Sequence, residues 1–289
     1  MRKNNLLYHF IALVTIIIWS LTFIQTKILL KYLSPEEILL DRFVIAWIIF
    51  FIIFPKIKFF SLKEELIFVF LGFSGIFGYY ILENISLSLT SAINVGIIVT
   101  SAPIFTTILK ITTQKTNSKK VLFSIIGFIF VIIGLLIMEI KHISKPNLGD
   151  ILAILGALFF GAYSFVLGKV NSKTNSILIT RKSFFWGIVF LMIFLFFKHF
   201  NFSDIKIYQN VDVWFNILFL SFFATALCFF MWKKAVSKIE TKASNYIYLV
   251  PIINTLAAVF ILNENITASM FISIIIILSG LFISQKFGV

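Results

Sequence analysis

YYILENISLSLTSAINVGIIVTSAPIFTT, Tyr79–Thr107, is the stretch on which the reading of this chain turns. It reads as two apolar helices joined by a very short polar turn. It also carries a carboxylate (Glu83), two amides (Asn84 and Asn94) and a proline (Pro103). Lipid tolerates none of these uncompensated. An ionisable group inside a membrane segment is costly and points to function. A mid-helix proline frees a carbonyl that neighbours or a cavity must satisfy. Given a membrane, this is where a solute would be handled.

The composition supplies the membrane. Hydrophobic residues make up 60% of the chain and charged residues 13%, with a mean hydropathy of +1.04. A soluble domain carries about 25% charge, so that class is excluded. A β-barrel would alternate polar and apolar residues over roughly 10 positions. The apolar runs here are continuous and about 20 residues long, the length of a spanning helix. The net charge of +13 does not indicate nucleic acid, because no basic stripe with interleaved aromatics lies outside the apolar segments. The positive-inside rule accounts for it. The lone Cys228 lies mid-helix, excludes an internal disulfide and reads as a small core hydrophobe. The opening MRKNNLLYHFIALVTIIIWSL has the basic head of a signal peptide, but its apolar run is too long and lacks a small-residue cleavage site. It is expected to be a retained first helix.

The pattern predicts an all-α integral membrane protein with ten spans. The first five are Phe10–Leu30, Ile38–Phe54, Leu66–Leu87, Ala92–Lys110 and Val121–Met138. The second five are Ile151–Val170, Phe184–Phe197, Val213–Trp232, Ala243–Leu262 and Ala268–Ser284, the seventh being short unless it begins near Ile177. With a cytoplasmic N-terminus, only Lys27, Lys31, Arg42, Lys141, Lys145, Lys198 and Lys206 of the 25 lysines and arginines fall outside. Of the 12 acids, only Glu64, Glu65 and Glu240 fall inside. Both termini are therefore expected in the cytoplasm, and the protein in an inner (plasma) membrane.

The chain also repeats itself. Ile38-Leu39-Leu40-Asp41-Arg42 recurs as Ile177-Leu178-Ile179-Thr180-Arg181. Gly96, Thr100, Pro103 and Thr107 line up with Ser244, Tyr248, Pro251 and Thr255, a spacing that keeps each set on one helix face. Thr15, Trp19, Thr22 and Thr26 match Ala157, Gly161, Ser164 and Gly168 in the same way. Five helices per half is an odd number, so the second half enters the membrane inverted. The expected units are residues 1–145 and 146–289. Inverted repeats of this kind hold solute near the midplane, where the halves meet.

Several short motifs occur in a consistent order. Trp19-Ser20 is followed by Lys27, Ser34-Pro35 and Arg42, then Glu83-Asn84, Thr90-Ser91-Ala92-Ile93-Asn94 and Ala102-Pro103-Ile104-Phe105. The second half has Gly149-Asp150, Tyr163, Lys169, Ala243-Ser244, Leu249-Val250-Pro251, Asn263-Glu264 and Gly280. On these motifs, over essentially its whole length, the chain resembles the drug/metabolite transporter superfamily in its EamA-like branch. The resemblance implies ten helices and a small-solute carrier, often an exporter of amino acids or related metabolites. One departure stands out. The family commonly has an acid after the fourth helix, matching Glu264 after the ninth, but this chain reads Ile111-Thr112-Thr113-Gln114-Lys115 there.

The candidate residues each carry two readings. Glu83 lies about 25 Å into a hydrocarbon core of roughly 30 Å. It either takes a proton or a cationic solute, or pairs structurally with Lys27 or Arg42. Asn84 and Asn94 either bind solute or bond across helices. Trp19, Tyr79, Thr100, Tyr163, Ser244 and Tyr248 line polar or small-residue stripes and are candidate pocket walls, the alternative for the aromatics being a lipid-facing belt. Arg42 reads as an outer gate or an anchor. Pro103 and Pro251 read as kinks that widen a cavity, the alternative being plain tolerated bends. Gly72, Gly75, Gly78, Gly127 and Gly134 read as close helix contacts. His9, His142 and His199 stand alone, so no metal site and no cofactor is expected. No phosphate loop, nucleophile elbow or His-Glu-x-x-His run is present, and no enzyme activity is expected.

The reading is a secondary carrier of small polar or amphipathic metabolites, exporting amino acids or related compounds by alternating access, with protons as coupling ion through Glu83. Expected partners are the solute and the lipid bilayer, with no nucleic acid; monomer and homodimer both stay open. Uptake of a scavenged solute is the alternative, and a membrane-embedded enzyme or a scaffold is the alternative from another class.

Overall fold

Ser34 and Ser61 show how this chain starts helices at a water boundary. Each hydroxyl accepts from the backbone N–H three residues on, and Glu37 and Glu64 return the bond to the serine N–H at 3.0 Å. These are capping boxes, and Pro35 in the first turn lacks only an N–H that would be orphaned there anyway. The computed structural model describes residues 2–58, 60–113, 117–138, 147–170, 175–239 and 245–288. Ser244, His142 and the start of the second expected unit lie outside the described residues.

The described chain is helical, with no strand among the described residues. We label its helical runs α1 (Arg2–Leu29), α2 (Pro35–Ile53), α3 (Leu62–Leu89), α4 (Ala92–Thr113), α5 (Ser118–Met138) and α6 (Leu148–Leu167). They continue as α7 (Ser176–Phe197), α8 (starting at Val211 and ending at Ile239), α9 (Asn245–Leu249 with Val250–Leu262) and α10 (Ala268–Phe287). Eight of these are long and apolar enough to cross a membrane. The apolar helix Tyr246–Leu262 is shorter, and α2 carries Glu36, Glu37, Asp41 and Arg42 among its apolar residues. The seventh span, expected at Phe184, begins at Ser176, with Asn175 accepting from the Ile177 N–H as its cap. The structure thus takes the longer of the two starts. The third starts at Leu62, a turn earlier than Leu66.

Two helices are irregular in the same way. α3 passes through a wider π-type turn at Gly72–Gly78, and α8 does so at Phe219–Leu227. Two others are interrupted. α4 breaks at Thr100–Ser101 between Ala92–Val99 and Ala102–Thr113, and α9 begins with a tight 3₁₀ turn, Asn245–Leu249, before Val250–Leu262. Pro103 and Pro251 each sit in the first turn after the interruption. They therefore open a new segment rather than kink a continuous one, in the place where a missing N–H costs least.

The extensive packing joins the first five helices to the last five. α5 lies along α10, α3 along α6 and α7, α1 along α8 and α9, α4 along α6 and α9, and α2 along α7 and α8. Glycines set the closest approaches. A Cβ on Gly127 would stand 2.5 Å from the Gly280 carbonyl oxygen, and one on Gly280 would stand 2.6 Å from that of Gly127. Gly72 receives the Trp186 side chain, Gly75 the Tyr163 ring and Gly78 the Phe159 ring. The bundle exposes large apolar side chains, including Ile125, Ile129, Ile133 and Leu136 along α5 and Phe260 on α9. An exterior this apolar suits lipid tails rather than water.

Gly127→Ala is expected to force α5 off α10 and lower stability by about 1–3 kcal/mol. Thermal unfolding in detergent measures it. Gly168→Ala, whose Cβ meets nothing closer than 3.5 Å, serves as the control.

Candidate functional site

Backbone and charge inside a bilayer must find partners within the protein, so the buried charges can be accounted for one by one. Those described are Glu36, Glu37, Arg42, Glu83, Asp150 and Arg181. Four are matched. Glu36 pairs with Lys198. Glu37 accepts from the Ser203 backbone N–H and hydroxyl, at 2.5 and 2.8 Å, besides its cap on Ser34. Asp150 accepts from Asn94 Nδ2 at 3.2 and 3.3 Å. Arg181 donates through its two Nη atoms to the carbonyls of Phe54 and Lys56.

Arg42 and Glu83 are not matched. Arg42 Nε donates to Thr225 Oγ1 at 3.1 Å, and the guanidinium lies over the Tyr80 ring, 4.4 Å from its centroid. Glu83 has the Tyr79 hydroxyl, one turn back on its own helix, and Arg42 as its polar neighbours. The two charges form no ion pair within 4.0 Å among the described residues. Both are nearly sealed from outside, at 2% and 1% exposure.

Local structure explains the placement. The π-type turn in α8 lets the Thr225 hydroxyl donate to the Leu220 carbonyl five residues back, which leaves its oxygen free to accept from Arg42. Rings wall the cluster. Tyr79 packs on Tyr80 and Phe160, with centroids 4.7 and 4.8 Å apart, and Phe160 meets Tyr163. Phe43 stands edge-on to Tyr80 and to Phe184, and Phe184 meets Phe229. Trp19 completes this side, packing on Phe229 while its Nε1 donates to the Ala224 carbonyl at 2.9 Å. Side chains of α1, α2, α3, α6, α7 and α8 thus surround one buried carboxylate and one buried guanidinium.

The structure therefore brings together Trp19, Arg42, Tyr79, Glu83 and Tyr163, and places the other expected residues elsewhere. Asn84 Nδ2 donates to the Pro35 carbonyl at 3.2 Å and pins the start of α2. Asn94 holds Asp150 and Thr90. Thr100 donates to the Ile97 carbonyl at the α4 interruption. Tyr248 donates to the Leu281 carbonyl and lines an open groove with Leu278, Ser279, Phe282 and Ile283. Lys27 does not meet Glu83: its Nζ donates to the Leu87 and Thr90 carbonyls at 2.5 and 2.7 Å. Sequence reasoning missed Tyr80 and Thr225, since a tyrosine or threonine in an apolar helix carries no mark of what it faces.

The α3–α4 turn is stitched down on three sides. Besides Lys27 of α1, Ser86 donates to the Gly149 carbonyl of α6 at 2.7 Å, and Asn254 of α9 to the Ala92 carbonyl at 2.7 Å. Glu264, beyond α9, accepts from the N–H groups of Ala92 and Ile93 at 2.8 and 3.0 Å. It caps the start of α4 from across the bundle, where a carboxylate is favoured by the helix dipole. Nearby, outside the spans, Tyr208 donates to Asp41 at 2.8 Å. Burial and that carboxylate push the Tyr208 hydroxyl well above the ordinary phenol range.

The model of the "EamA-like transporter family" matches twice, over residues 6–140 and 147–285. An "Uncharacterized transporter" of Archaeoglobus fulgidus is 24% identical over 284 residues, covering 96% of each chain. "Uncharacterized transporter YyaM" of Bacillus subtilis is 29% identical over 272 residues, covering 90% of this chain and 87% of that one. A solved crystal structure with 14% identity covers 99% of this chain and 98% of its own, with a TM-score of 0.67, and shares the fold.

Glu264→Ala is expected to strand two backbone N–H groups and lower stability by about 1–3 kcal/mol. Glu264→Gln, which keeps one accepting oxygen, should cost less. Thermal unfolding of the detergent-solubilised protein ranks the two.

Proposed function

The chain belongs to the EamA-like transporter family, and from that premise we propose a secondary carrier that moves a small polar or amphipathic metabolite by alternating access. The solute class is amino acids or related compounds, and the direction is export across an inner membrane with both termini cytoplasmic. The observation that carries this reading is the Arg42–Glu83 cluster, the one place where buried charge is left incompletely partnered among the described residues. Carriers keep polar groups buried within the membrane because a passing solute completes them.

In this reading α1–α5 and α6–α10 are two inverted repeats of five crossings, with α2 and α9 as crossings despite charge and shortness. Three observations support it. The family model matches once in each half. The π-type turns of α3 and α8 fall about one half-chain apart, as do the interruptions ahead of Pro103 and Pro251. Discontinuous helices at corresponding places are a signature of transporter repeats. The stitched α3–α4 turn then lies at the outer face, and the conformation is the one closed to the outside. Opening it breaks the bonds of Lys27, Asn94 and Glu264.

Glu83 is assigned the coupling role. Its carboxyl sits about 9 Å, six residues, from the outer end of α3, beside Arg42 and Tyr79. A proton arriving there when the outside opens alters the pull on Arg42.

Counterflow of labelled amino acid in proteoliposomes is expected for the wild type, with no counterflow from empty vesicles. Glu83→Gln should keep exchange yet lose uphill movement driven by a pH gradient. An unchanged pH dependence would remove Glu83 from the mechanism.

A further inference from the structure

The two arginines that recur near the starts of α2 and α7 form an internal comparison. Arg181 directs both Nη groups at backbone carbonyls of Phe54 and Lys56, and is satisfied by the fold. Arg42, buried deeper, is held at Nε by Thr225 and across its face by Tyr80, while its Nη groups meet no acceptor among the described residues. A guanidinium fixed by one edge and one face presents its remaining edge as a rigid fork of two donors. That edge matches a planar pair of oxygens. Removing such a cation from water is costly unless an anion compensates it. Asp41, next to it in sequence, is turned to Tyr208, and Glu36 and Glu37 are bound by Lys198 and Ser203. Only Glu83 remains in electrostatic reach, and it stops short of pairing.

We propose that Arg42 is the anchor for a carboxylate on the transported solute. The carboxylate lies across the Nη fork while the rest of the molecule rests on the Tyr79, Tyr80 and Tyr163 rings. Glu83, the carboxylate in electrostatic reach of the same cation, is the solute's competitor for it. A monocarboxylate fits better than a phosphate. The cluster holds one buried cation, and Lys27 and Arg181 are committed to backbone carbonyls. This assignment rests on the carrier reading and names the chemistry its solute must carry.

The test uses the full-length protein in lipid nanodiscs, with phenylacetate, phenylacetamide and inorganic phosphate as probes and thermal stability with tryptophan fluorescence as readouts. Phenylacetate is expected to stabilise saturably. Phenylacetamide, of the same shape without the charge, should bind at least tenfold more weakly, and phosphate should not compete. Arg42→Gln should abolish the phenylacetate response, and Arg42→Lys, which keeps the charge but loses the fork, should weaken it. Should Arg42→Gln fail to fold, Thr225→Val replaces it: the charge stays, its Nε support goes, and affinity should fall several-fold. The assignment is overturned by an absent phenylacetate response, by an equal response to the amide, by stronger binding of phosphate, or by a response that survives in Arg42→Gln. Failure of the carrier reading shows separately, as carboxylate binding without counterflow of any solute.

Discussion

A charge inside a bilayer has no water to fall back on, so every buried ionic group is answered by a protein partner or marks a place where something else must answer it. This constraint organises the molecule. Glu36, Glu37, Asp150 and Arg181 are answered by side chains or backbone groups distant in sequence, and each answer ties one half of the chain to the other. Such matched groups hold the bundle's ends. Arg42 and Glu83 sit between those ends and form no ion pair with each other.

Helix irregularity serves the same constraint in two ways. In α8 the π-type turn redirects the Thr225 hydroxyl onto Leu220, leaving an oxygen for Arg42. In α3 the corresponding segment carries Gly72, Gly75 and Gly78, against which Trp186, Tyr163 and Phe159 pack closer than any Cβ would allow. One irregular turn thus supplies a hydrogen-bond partner and the other admits the ring wall. The interruptions of α4 and α9 lie outside this cluster. They place Asn254 against Gly96, where a Cβ would stand 2.0 Å from Nδ2.

The apolar runs made the helices legible in the sequence, because length and hydropathy are local properties. The start of α7 was ambiguous because Arg181 and Lys182 interrupt its apolar run. The structure resolves this by directing Arg181 to the carbonyls beyond α2 and Lys182 to Glu65, 2.9 Å away. Trp19, Tyr79, Glu83, Arg42 and Tyr163 were legible as polar or aromatic residues out of place in lipid. Which of the out-of-place residues met one another was not. Asn94 and Glu83 look alike as polar residues in apolar helices, yet Asn94 finds Asp150 56 residues away and Glu83 finds no full partner. Glu264 is more remote still, reaching the start of α4 across 172 positions. Partnership is a tertiary property, and a single sequence records only the candidates.

The clamp at Glu264 also bears on how the two ends differ. In the two-repeat reading its counterpart would be an acid after α4, serving the start of α9, and the sequence there is Ile111-Thr112-Thr113-Gln114-Lys115. In that reading one end has a carboxylate on a helix start, and the sequence after α4 offers no acid for the other. A charge-assisted bond of this kind contributes about 1.5–3 kcal/mol, and each 1.4 kcal/mol is a factor of about ten in a population. In the proposed carrier, gates built from unequal contacts do not rest halfway between states. The proposed resting state has the α3–α4 end shut, and in that proposal solute binding together with the charge of Glu83 supplies the difference that opens it.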